Sequence, residues 1–323
     1  MRAVAVAHPN VALVKYWGKR ARAGNLPATG SLSLVLGGLA TETSVRFDPA
    51  LAGDRVLLDG HEEPETTGRV TACLDLLRRE AGITAGAIVE SRNDFPTGAG
   101  LASSASGFAA LVTAGAGALG LHLTSRRLAE IARLGSGSAP RSLLGGVVLL
   151  TNRDATTVCE QIAAPADWPL EIVVAVTATG PKATSSRVGM ELSERTSPYY
   201  DAWVQTHAGD LAAGLAAVRS RDFTALAEIA EHNCLKMHAV MLTTRPALIY
   251  WTPATLACLH RIQALRRDGV PAFFTIDAGP QVKAVCLPGR ADEVAAELAA
   301  VPGVLRIMRS PLGEGARLRV DAD

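Results

Sequence analysis

Residues 102–119 read Ala-Ser-Ser-Ala-Ser-Gly-Phe-Ala-Ala-Leu-Val-Thr-Ala-Gly-Ala-Gly-Ala-Leu, small and apolar almost throughout and without a charge. A helix built from them has no face to give to water, so it must run through the centre of a domain with other elements packed around it. What precedes it narrows the choice. Residues 93–105 read Asn-Asp-Phe-Pro-Thr-Gly-Ala-Gly-Leu-Ala-Ser-Ser-Ala. Gly98 and Gly100 let the backbone turn so that several N–H groups converge, and the helix N-terminus adds the positive end of its dipole. Ser103 and Ser104 add hydroxyls that can bond a phosphate oxygen or a metal-bound water. The segment is either an anion cradle or a glycine-rich turn capping a core helix. It lacks the Gly-Lys-Ser/Thr of a Walker loop and the Gly-x-Gly-x-x-Gly of a dinucleotide fingerprint.

Around this centre, short apolar or alternating runs at residues 11–15, 31–36, 41–47 and 55–58 predict strands. Val70, Cys73, Leu74, Leu77 and Ala81 recur at helical spacing, with Gly82 placed to cap the helix. Residues 87–90 predict a strand leading into the cradle, residues 125–134 a second helix ended by Gly135, and residues 147–150 and 171–177 further strands. Residues 179–198 turn polar and are expected to form a loop carrying the domain boundary, which divides the chain into residues 1–180 and 181–323. Beyond it, helices are expected near 199–218, 223–240 and 255–267, strands at 272–276 and 282–287, a helix at 291–300, and closing strands near Leu305 and Leu318. Helix and strand segregate rather than alternate, which predicts an α+β fold rather than a doubly wound sheet.

A chain of 323 residues can hold one large or two medium cores. Its net charge of +1 and 4% aromatic content give no support to a nucleic-acid partner, so any basic site is local and aimed at a small anion. Cys73, Cys159, Cys234, Cys258 and Cys286 fall at neither disulfide-framework nor metal-ligand spacing and read as reduced thiols. The N-terminal apolar run is too short for a signal peptide, and no run approaches the roughly 18 apolar residues of a membrane helix. The chain is expected to be cytoplasmic.

Four further loops can carry chemistry. Lys15, Tyr16, Lys19 and Arg20 follow a strand and gather three cations and a phenol, which is either a solvated face or one lip of a site. Residues 135–142, Gly-Ser-Gly-Ser-Ala-Pro-Arg-Ser, pair serines and backbone amides with Arg141, whose fork suits a carboxylate or phosphate. Pro140 removes one N–H from that loop. Thr184, Ser185, Ser186 and Arg187 repeat the combination of hydroxyls and a cation. Asp277, in Thr-Ile-Asp-Ala-Gly-Pro, sits where a turn after an apolar strand would expose it, and a turn-capping aspartate is the alternative.

Taken in order, Lys-Tyr-Trp-Gly-Lys, Asn-Leu-Pro, Phe-Pro-Thr-x-x-Gly-Leu-Ala-Ser-Ser-Ala, Ser-Gly-Ser-x-x-Arg-Ser and Asp-Ala-Gly-Pro resemble the mevalonate diphosphate decarboxylases, a branch of the GHMP kinases. The motifs span nearly the whole chain. Simple GHMP kinases share the glycine-rich loop but not the first and fourth of these motifs. The resemblance implies a two-domain GHMP fold with its site in the interdomain cleft. It also implies an ATP- and Mg²⁺-dependent conversion of mevalonate 5-diphosphate into isopentenyl diphosphate, ADP, phosphate and CO₂, by a homodimer without membrane or nucleic-acid partners.

By position, the same resemblance implies that Asp277, Lys15 and Arg141 carry the chemistry. Tyr16, Lys19, Ser136, Gly137, Ser138, Arg141 and Arg187 would bind the substrate. Ser91, Pro96, Gly98, Ala99, Gly100, Leu101, Ala102, Ser103, Ser104 and Ser186 would bind ATP, with Ser103 also meeting the metal. A decarboxylase acting on the 5-monophosphate, a mevalonate 3-kinase that does not decarboxylate and a non-catalytic sensor on the same fold are the alternatives.

Overall fold

The computed structural model describes residues 1–21, 25–95, 103–153, 156–180 and 182–319. The first part of the chain forms β1 (Arg2–Ala7), β2 (Asn10–Val14), β3 (Lys19–Ala21), β4 (Leu26–Pro27), β5 (Ser31–Val35), β6 (Thr41–Asp48), β7 (Arg55–Leu58) and β8 (His61–Glu62). Helix α1 (Pro64–Ala81), β9 (Gly86–Asn93), α2 (Ser103–Ala118), α3 (Ser125–Gly135), a 3₁₀ turn (Ala139–Leu143), β10 (Val147–Arg153) and β11 (Thr156–Ala163) follow. The remainder is β12 (Glu171–Val176), α4 (Ser186–Thr196), α5 (Tyr200–Ser220), α6 (Phe223–Leu242), α7 (Pro253–Arg267), β13 (Ala272–Ile276), β14 (Val282–Cys286), α8 (Ala291–Ala299), β15 (Arg306–Pro311) and β16 (Arg317–Leu318). The α+β class expected from the sequence is the class adopted.

Three larger sheets organise these elements, and β3 pairs with β4 in a separate two-stranded ribbon. The first runs β16-β1-β6-β9-β7-β8, antiparallel except where β7 pairs parallel with β9. The second is the antiparallel ladder β11-β10-β5-β2, and the third is β13-β14-β12-β15. Helix α2 lies on the first sheet, with α1 and α3 beside it. Its small residues are what allow the approach, since a Cβ on Gly115 would stand 2.7 Å from Leu77 of α1 and one on Gly117 2.5 Å from Leu318 of β16. Helix α1 ends at Gly82, whose φ of 67° is the left-handed conformation its place after Ala81 implies.

The second and third sheets share one core. Leu32 and Leu34 of β5 and Leu149 of β10 join Ile172 and Val174 of β12, Phe273 of β13 and Leu226 of α6 in a single cluster. Helices α7 and α8 cover the other face of the third sheet. Strand β12 precedes residue 180 yet pairs only with strands from the second part, while β16, near the end, returns to the first sheet.

One expectation is corrected. Residues 179–198 are not a loop throughout, because α4 occupies Ser186–Thr196, capped by the Ser185 hydroxyl accepting from the Val188 N–H. Its buried face is Gly189, Met190 and Ser193, too small to register as an apolar stripe. Gly189 is needed there because the Trp17 ring stands 3.1 Å from where its Cβ would be. Strands β1 and β11 are also absent from the sequence reading. Among the described residues no helix is long and apolar enough to cross a membrane.

Candidate active site

Where the end of β2, the starts of α2 and α4, the loop after α3 and the β13–β14 turn meet, they line a cavity of about 380 Å³. Its wall carries six cationic side chains, Lys15, Lys19, Arg69, Arg141, Lys182 and Arg187, against a single carboxylate, Asp277, among the described residues. The whole chain carries only +1, so the fold concentrates positive charge here. A cleft of this kind draws in anionic ligands.

Asp277 follows β13 in the turn to β14. Lys15, just past β2, donates to its Oδ1 at 2.8 Å, and Lys283, in the middle of β14, lies 3.5 Å from Oδ2. Both lysines are at most 2% exposed, whereas the aspartate keeps 27% of its side chain open to the cleft. Burial alone would raise the Asp277 pKa, but the charges of Lys15, Lys283 and Arg141 hold it well below the usual carboxylate range. Burial and the charge of Lys15 lower that of Lys283, with Asp277 opposing. The turn is closed by Gln281, which accepts from the Thr177 N–H and donates to the Ala178 carbonyl, each at 2.7 Å.

Arg141 comes from the 3₁₀ turn and is nearly enclosed. Its Nε donates to Asn10 at 3.0 Å and its Nη1 to the Ser31 hydroxyl at 2.6 Å. A guanidinium has five N–H donors, so donors remain for a ligand in the cavity. Pro140 sits in the first turn of the 3₁₀ segment, where a backbone N–H has no partner within the helix, so its ring costs the loop nothing. Ser138 and Ser136 are 3.0 Å apart through their hydroxyls, and Ser104 lies 3.3 Å from Ser136. This hydroxyl chain links the start of α2 to the loop after α3. The Tyr16 hydroxyl rests against Gly137, where a Cβ would come within 2.8 Å of it. Burial pushes the Tyr16 phenol up to about 12 against the pull of Arg141 and Arg133, so it remains a neutral donor. Lys19 is held by Asn25 at 2.9 Å, and Asn25 in turn donates to the carbonyls of Arg133 and Leu134.

On the opposite side, the N-terminus of α4 brings Ser186 and Arg187 into the wall, and Ser103 and Ser104 enter from α2. Lys182 donates to the Ser186 hydroxyl at 2.8 Å and to the Ala278 carbonyl at 2.7 Å. Burial pulls its pKa down to about 8, with the Asp277 charge opposing and the Lys283 charge assisting. Ser91 is not part of the wall: it lies in β9 with its hydroxyl 2.5 Å from that of Thr43. Pro96, Gly98, Ala99, Gly100, Leu101 and Ala102 lie outside the described residues. Arg20 is exposed and outside the cavity.

Lys182, Lys283 and Arg69 were not picked out from the sequence. Lys283 could have been, since a cation inside the apolar strand Val-Lys-Ala-Val-Cys demands a buried partner. Arg69, on α1, donates to the Gly135 carbonyl and stands over the Phe108 ring, and no local pattern sets it apart from a solvated arginine. A magnesium ion keeps several waters and binds through few protein oxygens and substrate phosphates. The Ser103 and Ser104 hydroxyls suit that demand. Among the described residues no group of three or more His, Cys, Asp or Glu is placed to hold a metal by itself.

Residues 7–159 match the family described as Diphosphomevalonate decarboxylase-like N-terminal domain, and residues 172–306 the Mevalonate 5-diphosphate decarboxylase C-terminal domain. A Diphosphomevalonate decarboxylase of Ganoderma lucidum is 36% identical, over 86% of this chain and 76% of that protein. A Phosphomevalonate decarboxylase of Haloferax volcanii is 33% identical, over 87% of each. Among solved structures, MDDEF in complex with MVAPP, AMPPCP and magnesium superposes with a TM-score of 0.90 at 37% identity, covering 99% of both chains.

Proposed function

Because the chain belongs to the diphosphomevalonate decarboxylase family, we propose that it converts mevalonate 5-diphosphate and ATP into isopentenyl diphosphate, ADP, phosphate and CO₂. The observation that carries this reading is the pairing, in one cavity, of a carboxylate gripped by two buried lysines, the single carboxylate among the described wall residues, with five further cationic side chains. Such a cavity suits two polyanions held side by side.

The chemistry follows from the substrate. A tertiary C3 hydroxyl is a poor leaving group, so it first takes the γ-phosphoryl group of ATP, with ADP leaving and the hydroxyl proton passing to an oxygen of the transferred group. Departure of the new phosphate leaves positive charge at C3. The C1–C2 bond then breaks, its electrons form the C2–C3 double bond, and CO₂ leaves. Arg141 holds the C1 carboxylate through its remaining N–H donors. Lys15 neutralises charge on the phosphoryl group in transit. The Ser103 hydroxyl, with the ATP phosphates, would hold a magnesium ion, which would supply further neutralisation of that same charge. Asp277 is a weak base, since both of its oxygens face lysines and its pKa is depressed. A loose phosphoryl-transfer transition state asks little of a base. Asp277 therefore acts as the anchor of Lys15 and as the electrostatic partner of the cation developing at C3.

Tyr16, Lys19, Ser136, Ser138 and Arg187 bind the 5-diphosphate, with the close approach at Gly137 placing the Tyr16 hydroxyl. Ser103, Ser104 and Ser186 meet the ATP phosphates, and Ser103 the metal. Residues 96 and 98–102 complete the nucleotide side by resemblance. The division of the chain is taken at residue 180, with β12 reaching across it to pair with β14 and β15. Five cysteines without a disulfide fit a cytoplasmic enzyme, and a homodimer is the assembly implied by the family resemblance.

The Haloferax relative makes the 5-monophosphate the second reading. More donors converge on the far end of the cavity than one phosphate can use, and leaving a cation unpaired costs roughly 1–3 kcal/mol. The diphosphate is expected to be preferred by about tenfold or more in kcat/KM, and Arg187→Ala to shrink that preference. Steady-state kinetics on both substrates decides the point. Equal or better use of the monophosphate would overturn the diphosphate assignment.

A further inference from the structure

Lys15 and Asp277 stand 262 positions apart, each just past the end of a strand, and the two strands belong to different sheets. Their pairing is only as well defined as the distance between those strands, and one helix touches both strand ends at the point of use. On α6, Asn233 is fully buried and its Oδ1 accepts the backbone N–H of Lys15 at 2.7 Å. The next residue, Cys234, meets Ile276, the last residue of β13. Its sulfur accepts from the Ile276 N–H at 3.2 Å and lies 3.5 Å from the Ile276 carbonyl. Burial raises the Cys234 pKa, so the S–H needed for the second contact is retained. Two consecutive side chains of one helix thus fix the residue that is Lys15 and the residue that precedes Asp277.

The orientation of Asn233 is itself specified. Its Nδ2 donates to Asp210 Oδ2 of α5 at 2.7 Å, and Lys236 donates to the same oxygen at 2.6 Å. Asp210, an acceptor, forces the amide to present its NH₂ there and its oxygen to Lys15. A buried apolar residue would fill the same space, so packing alone does not explain an amide with a donor and an acceptor each matched at 2.7 Å.

We propose that Asn233 is a positioning residue for the reaction: through Asp210 on one side and the Lys15 N–H on the other, it sets the place of Lys15 relative to Asp277. The proposal rests on the functional reading given above. A misplacement of about 1 Å at a reacting centre costs on the order of 100-fold in rate. Asn233→Leu is accordingly expected to lower the single-turnover rate of ADP formation by roughly 30- to 100-fold. Calorimetric Kd values for ADP and for mevalonate 5-diphosphate should stay within about threefold, because no cavity-wall side chain is removed. A merely structural role would move rate and affinity together.

The decisive control is an exchange of donor and acceptor. Asn233→Asp alone sets two carboxylates face to face and is expected to be as impaired as Asn233→Leu. The double variant Asn233→Asp/Asp210→Asn restores the two hydrogen bonds that set Lys15, the new carboxylate accepting from the Lys15 N–H and from the new amide, while Lys236, which shares Asp210 Oδ2 with Asn233, gives up that ion pair and keeps Thr206. Its rate is expected within about threefold of the unmodified enzyme. Unchanged turnover in Asn233→Leu, a rate loss matched by an equal loss of ligand affinity, or a double variant no faster than Asn233→Asp would each overturn the proposal. Should Asn233→Leu fail to fold, the comparison of Asn233→Asp with the double variant decides it alone. An unmodified protein that forms no ADP would instead overturn the functional reading.

Discussion

At the scale of single residues, the charges of the cavity are few enough to follow one at a time. Asp277 is held ionised by Lys15 and Lys283 and contributes no proton. Asp277→Asn keeps its shape but removes the countercharge, leaving two buried lysines without an anion. Turnover is expected to fall by two or more orders of magnitude, while the Kd for ATP changes little. A variant retaining most of its turnover would show that the carboxylate is not needed. Lys182 supplies the pH dependence. An ammonium is charged below its pKa, so with that pKa at about 8 the cation is lost as pH rises through 8, two units or so before an ordinary lysine. Lys182 faces Ser186, where the ATP phosphates are assigned, so kcat/KM for ATP should decline above pH 8. Bound phosphate favours the cation, and the decline in kcat should fall at higher pH. Lys182→Arg should remove the kcat/KM limb near pH 8, and a limb unmoved in that variant would assign it elsewhere.

At the scale of elements, the site is assembled from ends: the end of β2, the end of β13, the starts of α2 and α4, and the 3₁₀ turn after α3. The loop carrying Ser136, Gly137 and Ser138 shows how closely they fit. An added Cβ at Gly137 would meet the Tyr16 hydroxyl at 2.8 Å, and that hydroxyl is the free end of its side chain. Gly137→Ala is therefore expected to swing Tyr16 aside, leaving thermal stability nearly unchanged. KM for the mevalonate substrate should rise about tenfold, the worth of one lost hydrogen bond of roughly 1.4 kcal/mol. A large drop in melting temperature would mean that the clash falls on the backbone instead. The same ends explain what the sequence discloses. Strands with regular alternation and helices with wide apolar faces, such as α1 with its glycine cap, were legible because local pattern and burial agree. Helix α4 was not, because its buried face is a glycine, a methionine and a serine shaped to the Trp17 ring, a requirement set by a residue far away in sequence. The motif residues Lys15, Tyr16, Arg141, Ser186, Arg187 and Asp277 could be named, and the structure gathers them in one cavity. Lys182, Lys283 and Arg69 belong to no motif, and they become site residues only through the third dimension.

At the scale of the whole molecule, sheets from both parts of the chain share a core beneath the cavity, and α6 runs through it. On the function proposed above, the site holds a nucleotide against α2 and α4 and a second anion against β2 and the Arg141 turn, with Asp277 between them. A protein that only phosphorylates needs the nucleotide half and an acceptor hydroxyl, and a sensor needs no anchored Lys15–Asp277 pair. Decarboxylation needs all of it. The most direct test is to incubate the protein with ATP, Mg²⁺ and mevalonate 5-diphosphate and to measure ADP and CO₂ from the same reaction. Equal amounts of the two, formed together, are expected. ADP without CO₂ would mean a kinase, and neither product would mean a binding protein; either result would contradict the account.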